Sequence, residues 1–138
     1  AYEADIQKLD LNSEWVYISL DLNGLKQTND KMGHSAGDEL ICAASSCMKF
    51  AFASYGKIYR IGGDEFVVIE QDVSELLFFD QYSKLLNRMK ELEISVATGC
   101  VWKETCINLS EILQEADQKM YEDKKHYYSL VENDRRKR

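Results

Sequence analysis

Apolar residues recur along this chain in two rhythms. From Trp15 to Leu22 almost every position is apolar or a good strand former, which predicts a buried strand. Asp21 stands near its C-terminal end, and Asn23-Gly24 breaks it. Ser35 to Ala53 changes to helical spacing, with Leu40, Ile41, Ala44, Cys47, Met48 and Ala51 on one side. Ser35 fits an N-cap, with Asp38 three residues on. Two short runs, Lys57 to Ile61 and Phe66 to Glu70, flank a glycine turn and read as the strands of a hairpin.

Ser74 to Leu92 is amphipathic, with Leu77, Phe78, Tyr82, Leu85, Leu86 and Met89 on one face. Ile94 to Trp102 predicts another strand. Asn108 or Ser110 opens a helix that runs to about Tyr127 and turns Ile112, Leu113, Ala116 and Met120 inward. Tyr127 to Val131 reads as a short closing strand. The order β-α-β-β-α-β-α, with or without that last strand, predicts an α/β fold of the α+β sandwich kind. Its sheet is mixed and mainly antiparallel, flanked by helices and related to the ferredoxin-like split βαβ pattern.

Composition narrows the possibilities. A chain of 138 residues with 45% hydrophobic and 30% charged residues is long enough for one domain with a real core, and the whole of 1–138 is read as one domain. No apolar run reaches the length of a transmembrane helix and no signal peptide is visible. The net charge of −7 argues against general binding to nucleic acid or anionic membranes. The basic end Arg135-Arg136-Lys137-Arg138 reads as solvated. The cysteines Cys42, Cys47, Cys100 and Cys106 form no Cys-x-x-Cys pair, so zinc is not expected. Cys42 and Cys47 fall in an apolar helical run and are expected as buried free thiols, which points to a reducing, cytoplasmic compartment.

The candidate chemistry lies in Arg60 to Phe66, RIGGDEF, on the predicted hairpin. Gly62 and Gly63 can take positive φ without a Cβ penalty, as a two-residue hairpin turn requires. They also let another molecule approach the backbone. Asp64 and Glu65 then place adjacent carboxylates on a rigid turn, which suits a divalent metal and phosphate. A Gly-Gly-Asp turn is also an ordinary solvated hairpin, and the heptad alone leaves both readings open. Asp21 shifts the balance. If the hairpin pairs beside the first strand, Asp21, Asp64 and Glu65 converge, and three hard oxygen ligands favour Mg2+ or Mn2+.

Together, DLNGLKQTNDKMGHSAGD (Asp21 to Asp38) and RIGGDEF resemble the diguanylate cyclase family, the GGDEF domains. ADQKMYEDKK, Ala116 to Lys125, adds a weaker match to the family's last helix. The resemblance covers nearly the whole chain and implies a nucleotide-cyclase or palm-like sheet. It also implies condensation of two GTP molecules into cyclic di-GMP, with release of two pyrophosphates, between two facing domains of a homodimer. Sensor or regulatory domains would accompany it in the full-length protein, cytoplasmic or on the cytoplasmic side of a membrane.

By resemblance, Asp21, the carbonyl of Leu22, Asp64 and Glu65 hold the metals. Asp64 and Glu65 are the catalytic candidates, Asp64 assisting deprotonation of the 3′-hydroxyl and Glu65 holding a metal or orienting the nucleotide. Backbone amides at Gly24 and Leu25 face the β- and γ-phosphates, with positive charge from Lys26 and Lys124. Asn29 and Asp38 meet the base. Guanine's edge offers two adjacent donors that a carboxylate accepts, whereas adenine presents an acceptor there, a difference of about 1–3 kcal/mol. Gly62 and Gly63 allow close approach, and Arg60 contacts the nucleotide or braces Asp64. His34 is expected to pack in the turn before the helix.

The chain departs from the family pattern in three places. Ala1-Tyr2-Glu3 resembles the residues just after the family's opening Asn-Arg, which implies a domain trimmed at its N-terminus. Ala53 and Gly56 stand where many relatives carry the arginine and aspartate of a product-inhibition site, so no inhibition through that site is expected. Micromolar binding of cyclic di-GMP involving these residues would contradict this. Tyr127 and Tyr128 stand where the family usually has Gly-Arg, and the arginine there binds phosphate. A degenerate module that binds GTP and regulates a neighbour without turnover is therefore the alternative, with a dimerisation scaffold behind it.

Overall fold

The computed structural model describes residues 13–52, 56–105 and 108–136. Four strands form its sheet: β1 (Trp15–Leu22), β2 (Gly56–Arg60), β3 (Glu65–Gln71) and β4 (Val96–Lys103). The spatial order is β2-β3-β1-β4, and every neighbouring pair is antiparallel. The described residues also form four helices: α1 (Leu25–Met32), α2 (His34–Phe52), α3 (Glu75–Glu91) and α4 (Leu109–Arg136). The α/β class and the helix-flanked sheet agree with the sequence reading.

All eight residues of β1 are buried, because the central strand is covered on both faces. Its even positions, Val16, Ile18, Leu20 and Leu22, join Phe66 and Val68 under α2 and α3, which contribute Ala44, Met48, Phe52, Phe78, Leu85 and Met89. Trp15 and Tyr17 join Val67, Ile69 and Val101 under α4, which contributes Ile112 and Ala116. The alternation of a strand thus feeds two cores from one run of sequence. Ser74 caps α3 by accepting from the Leu77 N–H at 3.1 Å.

The structure corrects several local expectations. Tyr127 to Val131 is not a strand, because α4 continues through it to Arg136. Tyrosine and valine favour strands, but a helix already docked on the sheet overrides that preference. Residues 25–32, to which the sequence pattern assigned no element, form α1: LKQTNDKM buries only Leu25, so no apolar period announced it. The helix α2 begins at His34, which places Ser35 inside the first turn and not at the cap. His34 is exposed, not packed. Cys42 is exposed whereas Cys47 is buried, since five residues carry a helix well over a third of a turn away from the core side. Leu86, assigned to the inner face of α3, is 40% exposed, and Gln81 is buried there.

One core group is charged chemistry in an apolar place. Glu70 of β3 is 1% exposed, and among the described residues neither carboxylate oxygen has a hydrogen-bond partner. Gly56 faces it on β2, where a Cβ would come within 2.8 Å of Glu70 Cγ. Burial pushes the Glu70 carboxyl up to about 7 from 4.5, with Gln81 pulling in the other direction. A folded-state value above the unfolded one gives stability that is present below about 4.5 and lost as pH rises through 7. Glu70→Gln is therefore expected to raise stability by on the order of 3 kcal/mol near pH 8 and to change little near pH 4.5. Denaturant titrations at both values check this, and a gain that does not depend on pH would contradict it.

Candidate functional site

The end of β1 lies between two other elements. Register pairs Asp21 with Glu65 on β3 and with Ala97 on β4. The Leu22 amide donates to the Asp64 carbonyl at 2.9 Å, which ties the predicted ligand backbone at Leu22 to the hairpin turn. Oxygens of Asp21, Asp64 and Glu65 all lie within 4.8 Å of one another. The three carboxylates expected to converge therefore do so. Asp21 is buried, Asp64 half-buried and Glu65 exposed, so the cluster opens to solvent on one side.

The odd positions of β1 face α4 and become polar toward this end: Trp15, Tyr17, Ser19, Asp21. The helix answers in kind. Ser19 Oγ donates to Asp117 Oδ1 at 2.9 Å, and Lys124 Nζ lies 2.9 Å from Asp21 Oδ2. The Thr98 amide on β4 donates to Asp123 Oδ2 at 2.9 Å. Lys124, expected beside phosphate, is thus paired with a carboxylate of the cluster. Burial raises the Asp21 pKa; Lys124 lowers it again, and Asp64 adds to the rise. The Lys124 pKa is raised, chiefly by its hydrogen bond to Asp21. Among the described residues Asp21 Oδ1 has no hydrogen-bond partner. A buried carboxylate with one idle oxygen, facing two more acids, is a donor set that fits a hard divalent cation.

The hairpin turn differs from the two-residue form predicted. It spans Ile61 to Asp64, and among the described residues the glycines with positive φ are Gly24 and Gly33, not Gly62 or Gly63. Ile61 N–H donates to the Glu65 carbonyl at 2.9 Å, and the four-residue loop closes without left-handed backbone. The turn is open at both glycines: a Cβ on Gly63 would meet nothing within 4 Å, and one on Gly62 only Glu65 Cβ at 3.9 Å. Arg60 Nε donates to the Gly62 carbonyl at 3.2 Å and Nη2 to the Gly63 carbonyl at 2.8 Å. These bonds hold the glycine turn that precedes Asp64.

Gly24, at φ 75, caps α1, and no side chain caps the amides of its first turn. Leu25 is buried, and Lys26 is exposed along the same helix. Asn23 is buried and donates through Nδ2 to Ser95 Oγ at 3.0 Å, which fixes the turn to β4. Asn29 is half-buried on α1 and Asp38 exposed on α2, on the two helices joined at Gly33. Tyr127 and Tyr128 stack edge to face, with ring centroids 5.1 Å apart. The Tyr127 hydroxyl lies 3.4 Å from where a Gly24 Cβ would be. Neither this buttress nor the Asp123 clasp carried a sequence signal, because both depend on where α4 crosses the sheet. Ala53, one of the two expected sites of lost product inhibition, lies outside the described residues; Gly56 opens β2.

The chain matches the family model for the diguanylate cyclase GGDEF domain over residues 2–128. Among curated relatives, it is 28% identical over 123 residues to the uncharacterized protein YtrP of Bacillus subtilis, covering 83% of this chain and 21% of that one. It is 29% identical over 112 residues to the diguanylate cyclase DgcS of Shewanella oneidensis, covering 78% and 38% respectively. The chain thus spans well under half the length of these relatives. Among solved structures, the active GGEEF domain of a diguanylate cyclase from Vibrio cholerae superposes with a TM-score of 0.73 at 22% identity, over 90% of this chain and 83% of that one. That likeness establishes a shared fold. No helix among the described residues is long and apolar enough to cross a membrane.

Proposed function

This chain belongs to the GGDEF-domain family of diguanylate cyclases, and on that premise we propose that it joins two GTP molecules into cyclic di-GMP. The observation that carries the reading is the carboxylate cluster, Asp21, Asp64 and Glu65 within 4.8 Å, placed beside the uncapped start of α1. Asp21, Asp64, Glu65 and the Leu22 carbonyl would hold Mg2+ or Mn2+, which when bound neutralises phosphate charge and favours ionisation of the attacking 3′-hydroxyl.

The protein's own groups divide the remaining work. Free amides at the α1 N-terminus, around Gly24 and Leu25, offer donors and the positive end of the helix dipole to the β- and γ-phosphates. Lys26 adds positive charge from the same helix. Lys124 neutralises Asp21 and so moderates the repulsion of an anionic substrate by a chain of net charge −7. Asp38 accepts from the guanine N1–H and 2-amino group, and Asn29 adds a second base contact. Arg60 keeps the Gly62-Gly63 turn, and with it Asp64 and Glu65, in place. Each domain supplies one GTP, so two copies must face one another for the symmetric product to form. The reading places the domain in the cytoplasm with sensor or regulatory domains in the full-length protein.

A second reading, a GTP-binding regulatory module without turnover, draws on Tyr128, half-exposed where the family's phosphate arginine stands, and on Lys124 being occupied by Asp21. Incubation with GTP and Mg2+, read by chromatography with mass detection, separates the two. Cyclic di-GMP is expected, with turnover per domain rising with protein concentration. Bound GTP without product would select the regulatory module. Turnover that stays flat on dilution would remove the facing-domain requirement.

A further inference from the structure

Glycine inside a helix costs roughly 1 kcal/mol relative to alanine, so Gly37 in the first turn of α2 calls for a reason. The reason visible in the structure is Asn29. A Cβ built on Gly37 would overlap Asn29 Oδ1, lie 2.8 Å from its Cγ and 3.3 Å from its Nδ2. The whole carboxamide rests against the bare Cα of Gly37. The backbone of Asn29 is held as well: Gly33 N–H donates to the Asn29 carbonyl at 2.9 Å, and Gly37 N–H to the Gly33 carbonyl at 3.4 Å. Gly33, at φ 90, turns the chain between the two helices.

These backbone bonds do not fix the asparagine side chain, whose last torsion is broad and roughly two-fold in its preferences. A flat amide that must present a chosen edge to a base needs an outside constraint. Gly37 supplies it, and the next residue along the same turn is Asp38. We infer that Gly37 is a positioning residue for the base contact: its missing side chain lets the Asn29 amide seat against α2, beside Asp38, in one orientation. This rests on the GTP reading above.

A methyl group at 37 displaces only the end of a flexible side chain, so the fold tolerates it and the nucleotide contact does not. The test is a titration of Gly37→Ala, Asn29→Ala and the double variant with a non-cleavable GTP analogue and Mg2+, alongside thermal melts. Gly37→Ala is expected to weaken binding about tenfold, the order of one good base contact, with an unchanged or higher melting temperature. On the Asn29→Ala background the same substitution is expected to cost nothing further, because no amide remains to be displaced. Binding by Gly37→Ala equal to the parent, or an equal loss on both backgrounds, would overturn the inference. A parent that binds no guanine nucleotide would instead overturn the GTP reading, and the same titration reports it.

Discussion

Asp21→Asn is expected to cut cyclic di-GMP formation on the order of 10³-fold while leaving the melting temperature unchanged or slightly higher. The two halves of this expectation come from one geometry. Asp21 is 2% exposed, and one of its oxygens has no hydrogen-bond partner among the described residues. Burial raises the Asp21 pKa more than Lys124 lowers it, so holding this charge is costly to the folded chain, and asparagine removes that cost. The same substitution removes the charge at the centre of the acid cluster, where a divalent cation would contribute several kcal/mol to the transition state. A rise in melting temperature on adding Mg2+ is expected for the parent and is expected to disappear in the variant. Activity retained within tenfold of the parent would remove Asp21 from the site, and a collapsed melt would make its role structural.

Gly99→Val is the larger blow to the fold. A Cβ on Gly99 would overlap the Ala116 carbonyl oxygen, with Met120 N at 2.5 Å and the Ala116 carbonyl carbon at 2.9 Å. These are backbone atoms of α4, and no rotamer change relieves the clash. The helix must lift from β4, and with it go the packing of Ile112 and Ala116 and the bonds from Thr98 to Asp123, Ser19 to Asp117 and Lys124 to Asp21. Overpacking against rigid backbone is expected to cost about 3 kcal/mol or more, with a much lower denaturation midpoint. Gly99→Ala carries the same first clash with less bulk and is expected to fall between the two. An unchanged midpoint for the valine variant would mean that α4 does not press on β4 at this point.

Where the core pattern was strong, the sequence was a good guide. Trp15 to Leu22 is a strand because a run of apolar β-formers this short has little else to be, and its burial on both faces follows from helices on both sides. The inner faces of α2 and α4 follow from period alone. Where a segment buries almost nothing, as in α1, or continues an element already docked, as at Tyr127 to Val131, local pattern had no purchase. The site shows the same division. Asp64 and Glu65 were evident from their place on a glycine turn, and Asp21 from its place at the end of a strand. Lys124 on Asp21 and Asn29 on Gly37 were not, since each joins residues whose distance is set by packing.

Residue types and their spacing along the chain, then, determined most of the element types, the burial of β1 and the chemical kind of the candidate site: hard oxygen donors on a glycine turn and at the end of a strand. Only the tertiary structure decided which group pairs with Asp21, how the hairpin turn closes and what a side chain at residue 37 or 99 would meet. Periodicity records which way a side chain points from its own element. How closely two backbones approach is a property of the packed sheet and helices together, written in no single segment.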